Sequence, residues 1–67
     1  MGTVISYNSD RGYGFIRSSD GRNIFFHVSD CFCSEEEIHV GAKVVFVIKE
    51  YSKQGIMTPK AVHVQIA

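Results

Sequence analysis

Arg11-Gly12-Tyr13-Gly14-Phe15-Ile16 and Ile24-Phe25-Phe26-His27 concentrate the chemistry of this chain, which has three tyrosines and five phenylalanines in all. Tyr13 and Phe15 are two residues apart, as are Phe25 and His27. In a β-strand, residues two apart point to one face. Two such strands paired as a hairpin would set four flat rings on one surface. Flat rings on a solvated face, with arginines beside them, are what unstacked nucleic-acid bases bind. Arg11 and Arg17 flank the first segment and Asn23 precedes the second.

The strands that would carry those rings follow from turn signals and alternation. Gly2 to Asn8 is β-prone and stops at Asn8-Ser9-Asp10. Tyr13 to Ser18 is the second strand. Ser19-Asp20-Gly21-Arg22 contains Asp-Gly, a strong hairpin signal, and Asn23 to Val28 is the third strand. These three form a meander. From Ser29 to Gly41 the alternation lapses. Ser29-Asp30 could cap a helical turn, and Ser34 with Glu37 three residues on reads as a capping box. Gly41 ends that loop. Lys43 to Tyr51 is a fourth strand, apolar on both faces. Ser52-Lys53-Gln54-Gly55 is a turn, and Met57 to Gln65 is the fifth strand. Pro59 lacks an N–H, so its part of that strand is expected at an edge or before pairing begins.

Register selects the exposed rings. With Tyr13, Phe15, Arg17, Phe25 and His27 outward, Gly14, Ile16, Ser18, Ile24, Phe26 and Val28 face inward. The opposite register buries Tyr13, Arg17, Asn23 and His27 together, which costs several kcal/mol in desolvated polar groups. Phe26 and Phe46 are expected in the core. Gly12 and Gly14 would let the chain coil tightly and let bases approach the backbone.

Five short strands in 67 residues point to an all-β fold, a small five-stranded antiparallel barrel, because closure gives one core and removes bare edges. One domain of this size leaves little room for an enclosed catalytic cleft. No nucleophile–base pair, carboxylate pair or phosphate loop is legible, so no enzyme and no cofactor are expected. The longest apolar run is far short of the ~20 residues that span a bilayer. With no basic, apolar leader at the N-terminus, a cytoplasmic location is expected. Seven basic and seven acidic residues balance, which argues against a binder held mainly by phosphate neutralisation but not against one that stacks bases.

His27, Cys31, Cys33 and His39 fall within thirteen residues. Their spacing matches no common zinc finger, and one intervening residue is tight for two thiolates. No metal site is expected, nor a disulfide between cysteines so placed. His39 and His63 read as surface residues. An exposed aromatic patch is also what a protein interface looks like, so nucleic acid and protein partners stay open on periodicity alone.

Gly2-x-Val4, Tyr7-Asn8, Arg11 to Ile16, Gly21, Ile24 to His27 and Ser29 resemble the cold-shock domain pattern. Gly41-x-x-Val44-x-Phe46 and Pro59-x-Ala61-x-x-Val64 continue it more loosely. The resemblance implies an OB-type barrel that binds single-stranded RNA and DNA with little sequence preference, and in that family such proteins prevent or melt RNA secondary structure. It implies stacking by Tyr13, Phe15, Phe25 and His27, with Arg11 in the family's lysine role and Asn23 in place of a base-contacting aspartate. Three positions depart from it. Ser6 stands where the family usually has tryptophan, Ile5 where it has a basic residue, and Val28 where an aromatic often follows the histidine. Tyr7, Phe32 and Tyr51 are the rings that could compensate. Cys31 takes a position where the family tends to have an aliphatic core residue. The rival to nucleic-acid binding is a cold-shock barrel serving as a protein-interaction module.

Overall fold

The computed structural model describes residues 1–53 and 55–67, with the side chains of 51–53 and 57 also outside the description. Five strands follow in chain order: β1 (Gly2–Asn8), β2 (Tyr13–Ser18), β3 (Asn23–His27), β4 (Lys43–Lys53) and β5 (Ile56–Ile66). They close into a barrel in the order β1-β2-β3-β5-β4. β1, β2 and β3 form the expected meander, and β4 and β5 form a long hairpin. The expected antiparallel pairing holds along four of the five seams. The barrel is mixed, because β3 pairs with β5 in parallel through Phe25↔Lys60 and Phe26↔Ala61. The link from β3 to β4 is long, which lets β5 return beside β3 in the same direction.

Alternation holds without slip along β2 and β3. Ile16, Ile24 and Phe26 are fully buried and form the centre of the core with Val4, Val44, Ala61 and Val64. Phe46, Ile48 and Val28 are half-buried and pack against it. β4 is apolar on both faces, as expected, yet its outer valines stay in solvent, with Val47 57% exposed. Pro59 lies opposite Glu50 in the hairpin, one residue before β5 begins to pair with β3. Both strands of this hairpin run further than the turn signal implied. Ser52 and Lys53 continue the ladder, Gly55 lies in the turn, and Gln54 of the expected turn is outside the described residues.

Among the described residues two bulges interrupt the alternation. Val4 pairs with Ile16 and Ser6 with Phe15, so β1 spends one extra residue. Ile5 and Ser6 are both exposed there, and the residues beyond have exchanged faces. On β5, Val62 pairs with Val47 and Gln65 with Val45, again one residue in excess. His63 lies inside that excess in the left-handed region, at φ 54°, the backbone state of one type of bulge residue. Its ring meets Phe32 edge to face at 5.1 Å between centroids.

The segment between β3 and β4 contains two single 3-10 turns, Val28–Asp30 and Glu35–Glu37. The Glu37 carboxylate accepts from Ser34 N–H and Ser34 Oγ, each at 3.1 Å, as the capping pattern implied. The cap of the first turn is His27, not Ser29 or Asp30. His39 and His63 are exposed.

Candidate nucleic-acid interface

The β2–β3 pairing sets the candidate residues in three cross-strand rows. Tyr13 lies opposite His27, Phe15 opposite Phe25, and Arg17 opposite Asn23. All six point away from the core because Gly14, Ile16, Ile24 and Phe26 point into it. Phe25 is the centre of the group. Its ring is tilted against Tyr13 at 5.7 Å and meets Phe15 edge to face at 6.0 Å. Such pairs stabilise one another by about 0.5–1.5 kcal/mol beyond their area, which favours this arrangement of the three rings. Phe15 is 39% exposed, a large opening for a phenylalanine.

His27 is fixed by the chain that follows it. Its Nδ1 accepts from the Ser29 N–H at 3.1 Å, and Ser29 Oγ is 2.9 Å from the same nitrogen. With Nδ1 an acceptor, the proton of the neutral ring sits on Nε2. The ring therefore offers a fixed plane and one donor. Asn8 does similar work at the other end. Its Oδ1 accepts from Asp10 N–H at 3.0 Å and Arg11 N–H at 3.3 Å, which forms the turn carrying the exposed Arg11. Between β2 and β3, the Ser18 hydroxyl donates to the Asp20 carboxylate, which also holds Arg22 through Nε at 2.8 Å. The Ser18 hydrogen bond first, then the Arg22 backbone and side chain, lower the Asp20 carboxyl below its usual range. Gly21 turns that corner with φ 89°, a value few side chains adopt.

Tyr7 is the candidate that the structure sets apart. The β1 bulge turns it inward, opposite Gly14. There it stacks on Phe26 at 6.0 Å with only 13° between planes, and its hydroxyl donates to Glu35 at 2.9 Å. Partial burial, and then the Glu35 carboxylate, push its phenol up to about 12. Simple alternation from Thr3 and Ile5 would have left it outside, beside Phe15. Gly14 faces the core as expected, and a Cβ on it would strike Ser6 O and come 2.9 Å from Tyr7 Cα. Its missing side chain lets β1 lie close, the tight packing expected of it.

Ser6 takes the place beside Phe15 on the outer face, so a ring there would have lengthened the platform by one strand. Val28 packs against the core instead of joining the rings. Phe32 is 65% exposed but packs on His63, away from the β2–β3 rows. The Tyr51 side chain lies outside the described residues. One residue beside the rings was not anticipated. Lys60 pairs with Phe25 across the parallel seam, its Nζ 2.7 Å from Asp30 Oδ2. Only knowledge of the β3–β5 pairing could have found it.

Cys31 and Cys33 are free thiols, partly buried against the core. Burial foremost raises both, Cys31 to about 11. A thiol raised by burial is less often the thiolate that attacks or binds a metal at neutral pH. Among the described residues no group of three or more His, Cys, Asp or Glu side chains is arranged to hold a metal ion. No described helix is long and apolar enough to cross a membrane.

The chain matches the model of the 'Cold-shock' DNA-binding domain over residues 1–67. It belongs to the cold-shock domain family. It is 38% identical to cold shock protein 2 of Lactiplantibacillus plantarum over 68 residues, covering 96% of this chain and 92% of that protein. It is 34% identical to the major cold shock protein of Streptococcus pyogenes serotype M6 over 65 residues, covering 96% and 91%. Cold shock protein 1 of L. plantarum is 47% identical over a shorter stretch of 49 residues, covering 67% and 70%. The chain is thus a nucleic-acid-binding cold-shock domain on an OB-type barrel.

Proposed function

We propose that this cold-shock domain binds single-stranded RNA or DNA by stacking unpaired bases on Tyr13, Phe15, Phe25 and His27. The observation that carries the reading is the three-row alignment of β2 and β3, which gathers these rings on one solvent face. Arg17 and Asn23 close one end of the face and offer donors and acceptors to base edges or phosphates. Arg11, on the turn before β2, approaches the other end. Tyr7 supports the face from beneath by covering Phe26.

Stacking is worth about 1–3 kcal/mol per base, so three or four rings support micromolar affinity with few ionic contacts. Every base has a flat face, so the recognition is tolerant of sequence. Paired bases cannot offer that face. The domain therefore favours the melted form of a hairpin by mass action, which is how an RNA chaperone acts without catalysis.

Titration with short oligopyrimidines and RNA, followed by amide chemical shifts, tests the reading. Tyr13, Phe15, Phe25 and His27 should move first and together. No affinity for any single strand at low salt, with those residues silent, would refute it. A response of the same face to a protein partner alone would favour the protein-interaction module instead.

A further inference from the structure

The outer surface continues past Arg17 around the barrel. Thr3 of β1 lies directly opposite Arg17 of β2 on one side and directly opposite Lys43 of β4 on the other. Lys43 Nζ donates to Thr3 Oγ1 at 2.9 Å. Adjacent strands are about 4.8 Å apart, so the backbones of the two cationic residues are separated by about 10 Å, with a hydroxyl between them. This row edges an open cleft of about 540 Å³. Its apolar part comes from Met1 and from Ile5, which the β1 bulge leaves exposed. None of the described residues lining the cleft carries a carboxylate. By contrast, Arg22 and Lys60 are each paired with an aspartate.

Two cations of like sign, a hydroxyl and an apolar floor suit a particular chemistry. A free inorganic anion needs no apolar floor, and an aliphatic ligand needs no paired cations. A nucleotide uses both, with its phosphate between the charges and its base or sugar on the floor. The cleft also lies next to the rings, because Arg17, which lines it, stands one outward-facing position along β2 from Phe15. Arg17 is two residues along β2 from Phe15, about 7 Å. Ser6, opposite Phe15, is small and puts no ring beside them.

We propose that the Arg17–Thr3–Lys43 cleft is a further nucleotide subsite, holding a backbone phosphate of the strand that leaves the Phe15 end of the ring face. The inference rests on the ring-face reading and adds Lys43, two strands away from Phe15, to the binding residues. It also offers a route by which the domain offsets the absent ring at Ser6.

Fluorescence titration with oligothymidylates of increasing length tests it, using the wild type, Lys43→Gln, Lys43→Arg and Phe15→Leu. Lys43→Gln should weaken the longer strands about threefold to tenfold at low salt and leave the shortest binding strand unchanged. It should also reduce the slope of log affinity against log salt by about 0.7, the loss of one phosphate contact to a single strand. Lys43→Arg should restore both. A merely structural Lys43 would change melting temperature but not that slope. Unchanged affinity and slope in Lys43→Gln at every length, while Phe15→Leu weakens all strands, would overturn the cleft and leave the rings standing. No binding by the wild type would overturn both. Should Lys43→Gln not fold, the wild type decides: the amides of Thr3, Ile5 and Lys43 must shift between the shortest strand and longer ones, and their silence overturns the proposal.

Discussion

Replacing Phe15 with leucine separates the flat ring from the apolar bulk that the barrel needs. Phe15 is 39% exposed. An aromatic side chain covers about 150–250 Å² when fully buried, so roughly 80 Å² of Phe15 is open to a ligand. At about 25 cal/mol per Å² that is about 2 kcal/mol, inside the range measured for stacking one base. Leucine keeps part of the apolar contact and loses the plane, so Phe15→Leu should cost about 1–2 kcal/mol of binding. That is about a fivefold to thirtyfold rise in Kd. Folding should suffer less. The covered part of the side chain is retained, and the main loss is the edge-to-face contact with Phe25, about 0.5–1.5 kcal/mol. A domain of this length has roughly 3–10 kcal/mol in total, so the variant stays folded. Anisotropy with a labelled oligopyrimidine, well below the melting temperature, reads the first quantity. A circular dichroism melt reads the second. A variant that folds and binds within twofold of the wild type would refute the stacking argument.

Gly14→Ala should unfold most of the population, because its Cβ would strike the backbone of β1 at Ser6 and Tyr7; a thermal melt at the wild-type temperature would contradict this. His63→Val should lower the melting temperature by roughly 5–15 °C, since a β-branched residue in the left-handed region costs about 1–2 kcal/mol or more. His63→Asn should melt within a few degrees of the wild type, and equal effects of the two changes would refute the strain argument. The Tyr7 phenol, which ionises near 10 when unfolded, is pushed up to about 12 in the fold. The folded state therefore holds its proton longer, and the resulting stability is complete below pH 10 and lost as pH rises from 10 to 12. Denaturant melts across that range should show the decline, and Tyr7→Phe should flatten it.

The ring face was legible because β2 and β3 contain no irregularity. Alternation carries through from Tyr13 to Ser18 and from Asn23 to His27, and the polar cost of the wrong register decides between the two faces. Alternation alone could not place Tyr7, because a bulge leaves no mark in a run as uniformly β-prone as Thr3-Val4-Ile5. His63 was unremarkable for the same reason. Lys60 could not be placed beside Phe25, because thirty-five positions separate them in the chain and nothing local announces a parallel seam. His27 was read as a platform only. Its second part, ending β3 by accepting from Ser29 N–H, needed the backbone to be seen.

The closure of the barrel has a consequence for how it opens. Among the described residues, only the β1–β4 contact, Gly2↔Val44 and Thr3↔Lys43, and the parallel β3–β5 contact join strands distant in the chain. Bridges such as Gly41 N–H to Val4 O at 2.8 Å and Phe32 N–H to Val64 O at 2.7 Å extend them only slightly. The remaining ladders join neighbours in sequence, which are quick to find each other. The molecule is thus two local sheets zipped along two short seams. Amide protons on the seams should exchange with solvent before those inside the β2–β3 ladder, because parting a seam breaks few bonds. On that order of opening, the rings ride on the piece of chain that parts last.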